Sequence, residues 1–194
     1  MYTLLKPILV REELLNKKIT IFTPEEFRRV FNLKGYQAKY FLERQVRQGL
    51  FLRLKRGLYC LKTDLPNEQA VANKLYKPSY ISFEYALAKY NILPEMLYGI
   101  TSATTKPTRE FTQAGKSFNY FKIKSEAYTG YILTADGILI AEPEKALVDY
   151  LYFMVLGKKS LNDRLYIKSL NKAKLLKFAR LFKRKKLVKL LKSL

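Results

Sequence analysis

The N-terminal third carries a series of local signals that few folds can satisfy. Residues 23–26 (TPEE) predict a helix start, because they combine a capping hydroxyl, a proline at the first helical position and carboxylates that the helix dipole stabilises. That helix is expected to end near Leu33, and a second helix is predicted over 36–48. Residues 50–61 then predict two strands around a basic, glycine-containing turn. Together with a looser helical pattern upstream, this order predicts a winged helix-turn-helix DNA-binding domain over residues 1–62.

The predicted helix 36–48 has two distinct faces on a helical wheel. One face is expected to point towards the core: Ala38, Leu42, Val46 and Gly49. Another face groups glutamine, tyrosine and arginine, which can reach base edges and phosphates in a major groove, with Glu43 at its edge. Basic side chains of the hairpin can contact phosphates beside it. We therefore predict these DNA-binding residues: Gln37, Tyr40, Arg44, Arg47, Arg53, Lys55 and Arg56.

Positive charge is confined to the two ends of the chain. The 194 residues include 37 Lys plus Arg against 16 Asp plus Glu, a formal net charge of +21. Residues 1–62 carry a net +9, residues 63–157 a net −1 and residues 158–194 a net +13. Such segregation indicates two regions that contact a polyanion. The alternative for the N-terminal region is a solvated basic helix and a hairpin whose lysines add solubility, but the agreement of cap, turn, helix, hairpin and charge favours double-stranded DNA.

The composition excludes several kinds of chemistry. The chain has no histidine, which excludes imidazole catalysis and histidine-ligated metals, and its single cysteine, Cys60, excludes an intrachain disulfide. Glu142, Glu144 and Asp149 beside Lys145 superficially suggest a nuclease cluster. Two of these carboxylates fit a helix's first turn, and Glu144 and Asp149 are separated by roughly 140° on a helix. We therefore predict no catalytic residue, no metal and no cofactor. The N-terminus lacks a signal-peptide pattern and no apolar run is long enough to span a bilayer, which predicts a cytoplasmic protein.

The rest of the chain predicts a second, mixed α/β domain over 67–194. A short helix over 67–76 and a Ser82-capped helix precede β-rich runs at 98–105, 118–124, 131–134 and 138–141, with turn residues Ala114-Gly115 between two of them. A long apolar helix starts at Glu142 and ends at Gly157. The fold class predicted for the whole chain is therefore α+β.

The tail, about 158–194, alternates leucines, including Leu161 and Leu194, with lysine and arginine in a helical pattern. Three interpretations compete: helices on an anionic membrane, helices that hold phosphates, and the solvated face of a helical bundle. The leucines spread over several short helices, which favours bundle packing with phosphate contacts over a membrane. We predict secondary phosphate contacts from one basic run: Lys183, Arg184, Lys185 and Lys186.

Four segments resemble AbiEi-type antitoxins, regulators of phage-defence (abortive infection) loci. Residues 80–95 (YISFEYALAKYNILPE) and 98–105 (YGITSATT) look like the family's core. Residues 140–152 (IAEPEKALVDYLY) resemble its other marker segment, and 56–59 (RGLY) is similar to its wing. The resemblance implies the antitoxin of a type IV toxin–antitoxin system. Such a protein represses its own operon through the N-terminal domain and counteracts a nucleotidyltransferase-type toxin without a stable complex. Operators with inverted repeats would require two copies, as a dimer or as cooperating monomers.

Two other functions remain open at this stage. An RNA-binding module would use Tyr36, Tyr40 and the lysines of the tail. A metal-dependent nuclease would use Glu142, Glu144 and Asp149.

Overall fold

A computed structural model describes residues 5–95, 98–113, 115–160 and 162–193 of the chain. Their helices and strands fall into two units, Met1–Leu75 and Tyr76–Leu194. The predictions that fall on Ala114, Leu161 and Leu194 lie outside the described residues.

From residue 5 onward, the first unit contains four helices and a three-stranded antiparallel sheet of order β1-β3-β2. Its elements in chain order are α1 (Pro7–Asn16), β1 (Ile21–Phe22), α2 (Pro24–Val30), α3 (Gly35–Arg47), β2 (Phe51–Lys55), β3 (Leu58–Leu61) and α4 (Glu68–Leu75). The helix start predicted at 23–26 is confirmed: Thr23 Oγ1 accepts from the Glu26 amide at 3.2 Å, and the Glu26 carboxylate accepts from the Thr23 amide at 2.7 Å. Pro7 begins α1 instead of interrupting it, since a first-turn residue needs no amide proton.

Aromatic rings from α2, α3 and the sheet form the core of this unit. Phe27 of α2 is fully buried, with its ring centroid 5.6 Å from that of Phe22 and 5.9 Å from that of Phe51. Phe41 of α3 lies 5.7 Å from Phe27 and 6.4 Å from Phe51. Because rings of this size bury a large apolar area, this cluster fixes α3 against both α2 and the hairpin.

The segment between β3 and α4 is tied to the first unit. Arg11 of α1 holds Asp64 with two hydrogen bonds, Nε to Oδ2 at 2.9 Å and Nη2 to Oδ1 at 2.8 Å. The Lys55 ammonium group donates to the carbonyl of Leu75, the last residue of α4. Residues 67–76 were predicted to open the second domain, and α4 is grouped here with the first unit.

The second unit contains a six-stranded mixed sheet of order β6-β7-β5-β4-β9-β8, with β4 parallel to β9 and β5 parallel to β7. Its elements are β4 (Ser79–Ile81), α5 (Phe83–Lys89), β5 (Ile100–Thr104), β6 (Arg109–Gln113), β7 (Lys116–Lys122), β8 (Tyr131–Leu133), β9 (Leu139–Ala141), α6 (Pro143–Val155), α7 (Lys172–Leu181) and α8 (Lys185–Ser193). The predicted mixture of helices and strands is confirmed. The sequence analysis missed β6, because this edge strand is mostly polar and exposed and so lacks an apolar run.

Helix α6 is the centre of the second unit. Every residue from 144 to 153 is buried, which explains its nearly continuous apolar sequence. Helices α5, α7 and α8 pack against it. In the part of the chain that the structure describes, no helix has the length and apolar character needed to cross a bilayer.

Candidate DNA interface

Helix α3 packs against the core with one side, and its opposite, polar face is exposed to solvent. Ala38, Leu42 and Gln45 are buried, whereas Val46 is only half-buried. Val46 packs against the core of this unit, as predicted, and Gln45 is buried in addition. Gln45 is accommodated because its side-chain amide donates to Gln48 Oε1 at 2.6 Å, which satisfies a polar group that would otherwise be costly to bury.

The outer face of α3 presents three of its four predicted contact residues to solvent. Tyr40 is 65 % exposed, and Arg44 and Arg47 are exposed as well. Gln37 is half-buried, and its Oε1 accepts a hydrogen bond from the Lys34 amide at 2.9 Å. That hydrogen bond caps the start of α3, so this side-chain oxygen already has a structural partner.

Arg47 of α3 and Arg53 of β2 line one groove. The groove has a volume of about 240 Å³, and Glu43, Val46 and Tyr59 complete its lining. Arg53 lies directly across the hairpin from Tyr59 in the strand register. Two arginines that the sequence placed in separate elements are thus brought together by the packing of the hairpin against α3.

The cations of the hairpin differ in their surroundings. Arg56 is exposed in the turn between β2 and β3, where Gly57 adopts φ +77°, a conformation that favours glycine. Lys55 is half-buried, and its ammonium group is directed to the C-terminal end of α4 through Leu75. A cation at that end of a helix is stabilised by the helix dipole. Lys55 therefore already has a structural role.

The arginines of α2 are neutralised within their own helix, unlike those of α3. Arg28 donates twice to Glu25, at 2.9 and 2.7 Å, and Arg29 donates to it at 3.1 Å. The Arg28 guanidinium lowers the pKa of Glu25 to about 2. Arg44 and Arg47, by contrast, form no ion pair within the described residues. Positive charge is consequently more available on the outer face of α3 than on α2.

The part of the chain that contains α3 and the hairpin matches a known protein family. Residues 10–62 match the sequence model of a family described as "Transcriptional regulator, AbiEi antitoxin". The predicted resemblance to AbiEi-type antitoxins is confirmed over this stretch. The match spans α1 to β3 and ends before the segments of the second unit that also carry the resemblance. A search of curated proteins finds no match.

The basic run predicted for the tail lies where α7 is followed by α8. All four residues from Lys183 to Lys186 are exposed, and Lys183 pairs with Glu126 at 3.2 Å. Three of them line a groove whose other cations the sequence analysis missed: Arg180, Lys189 and Lys192. The spacing of Lys185, Lys189 and Lys192 by four and three residues puts them on one helical face, a signal that could have identified them.

The three carboxylates of the nuclease hypothesis have separate partners. Glu142 pairs with Lys174 at 2.8 Å, and Glu144 accepts from the Asn171 amide at 3.2 Å. Asp149 is fully buried and accepts from Lys145 and from two hydroxyl groups. The carboxylates therefore do not converge, and the described residues contain no group of three acidic or cysteine side chains that could hold a metal ion.

Proposed function

We propose that the chain is a DNA-binding transcriptional repressor and the antitoxin of a type IV toxin–antitoxin system. It represses its own operon from the cytoplasm and counteracts a nucleotidyltransferase-like toxin without a stable complex between the two. The family match over residues 10–62 supports the regulator and antitoxin class. The open face of α3 and the adjoining hairpin support DNA as the ligand.

The topology of the first unit supports a winged helix-turn-helix. Its order is α1-β1-α2-α3-β2-β3, and β1 closes the hairpin into a sheet by pairing with β3. In that arrangement α2 and α3 form the helix-turn-helix, α3 enters the major groove, and the β2–β3 hairpin is the wing. The aromatic cluster supports this assignment, because it sets α3 and the wing at a fixed distance from each other.

The observation that carries the proposal is the meeting of Arg47 and Arg53 in one groove. A guanidinium from the helix and another from the wing, lining one groove, suit a DNA phosphate at the edge of the major groove. Tyr40 and Arg44 lie on the open face and are assigned to base edges, with Gln37 contributing through its amide nitrogen. Arg56 at the wing tip is assigned to a phosphate, and Lys55 contributes only general positive potential.

Footprinting of the DNA upstream of the protein's own gene tests the repressor role. The assay uses physiological salt and competitor DNA, and it compares wild type with an Arg44→Ala, Arg47→Ala variant. A matched control is Arg28→Ala, Arg29→Ala, which removes the same charge from α2. We expect protected inverted repeats with wild type and control, and loss of protection with the α3 variant.

Two results would overturn the assignment. Equal loss in both variants would show that net charge alone governs binding. Protection that disappears at modest salt, together with tighter binding of structured RNA, would favour the RNA-binding alternative.

The antitoxin role needs a separate test. The product of the neighbouring gene is expressed alone, with wild type or with the α3 variant from an unrelated promoter. Growth rescued by both proteins supports an antitoxin whose activity is independent of operator binding. No toxicity, or toxicity that wild type does not relieve, contradicts this role and leaves repression intact.

A further inference from the structure

The second unit has its own concentration of positive charge, in a groove between α7 and α8. The groove has a volume of about 600 Å³ and is lined by six basic residues: Arg180, Lys183, Arg184, Lys185, Lys189 and Lys192. Among the described residues, Val188 is the one apolar member of the lining, and none of the lining residues is a carboxylate. A concave surface lined by a single sign of charge concentrates the field and attracts the opposite charge.

Most of this charge is not neutralised within the chain. Lys183 pairs with Glu126, but the other five cations of the groove form no ion pair in the part of the chain that the structure describes. Elsewhere in the same unit cations are neutralised: Lys174 pairs with Glu142, and Lys159 with Glu84. The like charges of the groove repel one another, so a bound polyanion would relieve an unfavourable arrangement.

The spacing of the cations suits a ligand with repeated charges. Lys185, Lys189 and Lys192 follow one face of α8 over about 10 Å, at a rise of 1.5 Å per residue. That length corresponds to about three nucleotide steps of 3.4 Å. Arg180 and Arg184 contribute planar guanidinium groups, which bind phosphate oxygens with two parallel hydrogen bonds.

A membrane surface fits the groove poorly. The apolar side of α8 is already used, since Leu187 and Leu191 are 0 % and 5 % exposed. A helix that lies on a bilayer needs such a side free to enter the acyl chains.

We infer that the α7–α8 groove binds the phosphodiester backbone of a nucleic acid, independently of the α3 surface. This goes beyond the operator-binding proposal, because it assigns a second site to the other unit and adds Arg180, Lys189 and Lys192 to the predicted run. DNA and RNA share the chemistry that the groove recognises, and the test separates them.

The test uses the full-length chain in an Arg44→Ala, Arg47→Ala background, which removes the α3 surface. The groove variant is Arg184→Gln, Lys185→Gln, Lys189→Gln. Its matched control is Lys168→Gln, Lys172→Gln, Lys177→Gln, which removes the same charge from exposed positions outside the groove lining. Fluorescence anisotropy measures binding of a random duplex DNA, a single-stranded RNA and polyglutamate of matched charge over a series of salt concentrations.

We expect the groove variant to flatten the slope of log K against log salt by about 2 to 3 on at least one nucleic acid, with a change below about 1 for the control. The nucleic acid with the larger change identifies the source of the backbone. Equal losses in both variants overturn the inference, as does equal binding of polyglutamate, which would assign the groove to an acidic protein. Thermal unfolding curves that match wild type show that the variants are folded. If the triple variant is unfolded, the single variant Lys189→Gln replaces it, with an expected change of about 1 in the salt slope.

Discussion

Lys145 donates to the carboxylate of Asp149 one turn further along α6, and both side chains are fully buried. Tyr80 and Ser82 donate to the other carboxylate oxygen at 3.0 and 2.7 Å. The Lys145 ammonium also lies 5.0 Å from the ring centroid of Phe182, the residue that ends α7. The pair therefore joins α6 to β4 and to the end of α7. Burial raises the pKa of Asp149 and lowers that of Lys145, and each charge opposes the shift of the other.

Removing one member of this pair should destabilise the second unit strongly. Lys145→Met leaves a buried carboxylate without its counter-charge, which costs about 3–5 kcal/mol. Lys145→Met combined with Asp149→Leu removes both charges, so we expect it to cost less than Lys145→Met alone. Urea unfolding followed by circular dichroism measures the difference.

The exposed pair Lys174–Glu142 is the control for this cycle. Lys174→Met should change the free energy of unfolding by less than about 1 kcal/mol, since solvent screens an exposed pair. For the buried pair, the single variants are Lys145→Met and Asp149→Leu. If the double variant loses as much unfolding free energy as these two single variants added together, the pair has no coupling energy.

The core ring Phe27 should be essential for the geometry of the DNA interface. Phe27→Ala leaves a cavity among the rings of α2, α3 and β2, and we expect a loss of about 3–5 kcal/mol in unfolding free energy. Phe27→Leu should lose less, because it fills part of the space. The effect on the position of α3 is measured as DNA affinity, at a temperature where both variants are folded. Unchanged affinity in folded Phe27→Ala would contradict a role of this cluster in positioning α3.

Lys55 and Arg56 should give opposite phenotypes although they are neighbours. Lys55→Met removes the donor to Leu75 and is expected to destabilise the first unit by about 1 kcal/mol, with little change in DNA affinity. Arg56→Met should leave stability unchanged and lower the salt slope of DNA binding by about 1. Thermal unfolding measures the stability of both variants, and fluorescence anisotropy over a series of salt concentrations measures their DNA binding. A larger loss of affinity in Lys55→Met would place its ammonium group at the DNA.

The helices and the hairpin of the first unit could be predicted because their signals are local. The Thr23 cap and the two faces of α3 each depend on residues within a few positions of one another. Strand β4 and the burial of Asp149 depend on partners that are distant in sequence. Ser82 is the N-cap residue of α5, as predicted, but its hydroxyl donates to Asp149 and not to a backbone group of the helix. Hydrophobic periodicity and secondary-structure propensity carry no information about contacts between residues that are distant in sequence.

The candidate interface follows the same division. The exposure of Tyr40, Arg44 and Arg47 follows from the helical wheel alone. The meeting of Arg47 with Arg53 depends on how the hairpin packs, and so does the direction of Lys55 towards α4. The sequence therefore predicted which of these α3 side chains are exposed, whereas the packing of the hairpin decides which of them share a groove with Arg53.

Cys60 offers a pH-dependent test of the first unit. It lies in the central strand β3 and is fully buried, and burial raises the pKa of its thiol from 9.0 to about 11. Between pH 9 and 11 the unfolded chain releases the thiol proton while the folded protein keeps it, which favours the unfolded state. The contribution of the buried thiol to stability is therefore complete below pH 9 and is lost as the pH rises towards 11. Urea unfolding of wild type should weaken over this range relative to Cys60→Ala, by up to about 3 kcal/mol. The variant retains every tyrosine, so the difference between the two proteins isolates the thiol. A constant difference across the range, or rapid alkylation of the native thiol at pH 8, would show that Cys60 is accessible to solvent.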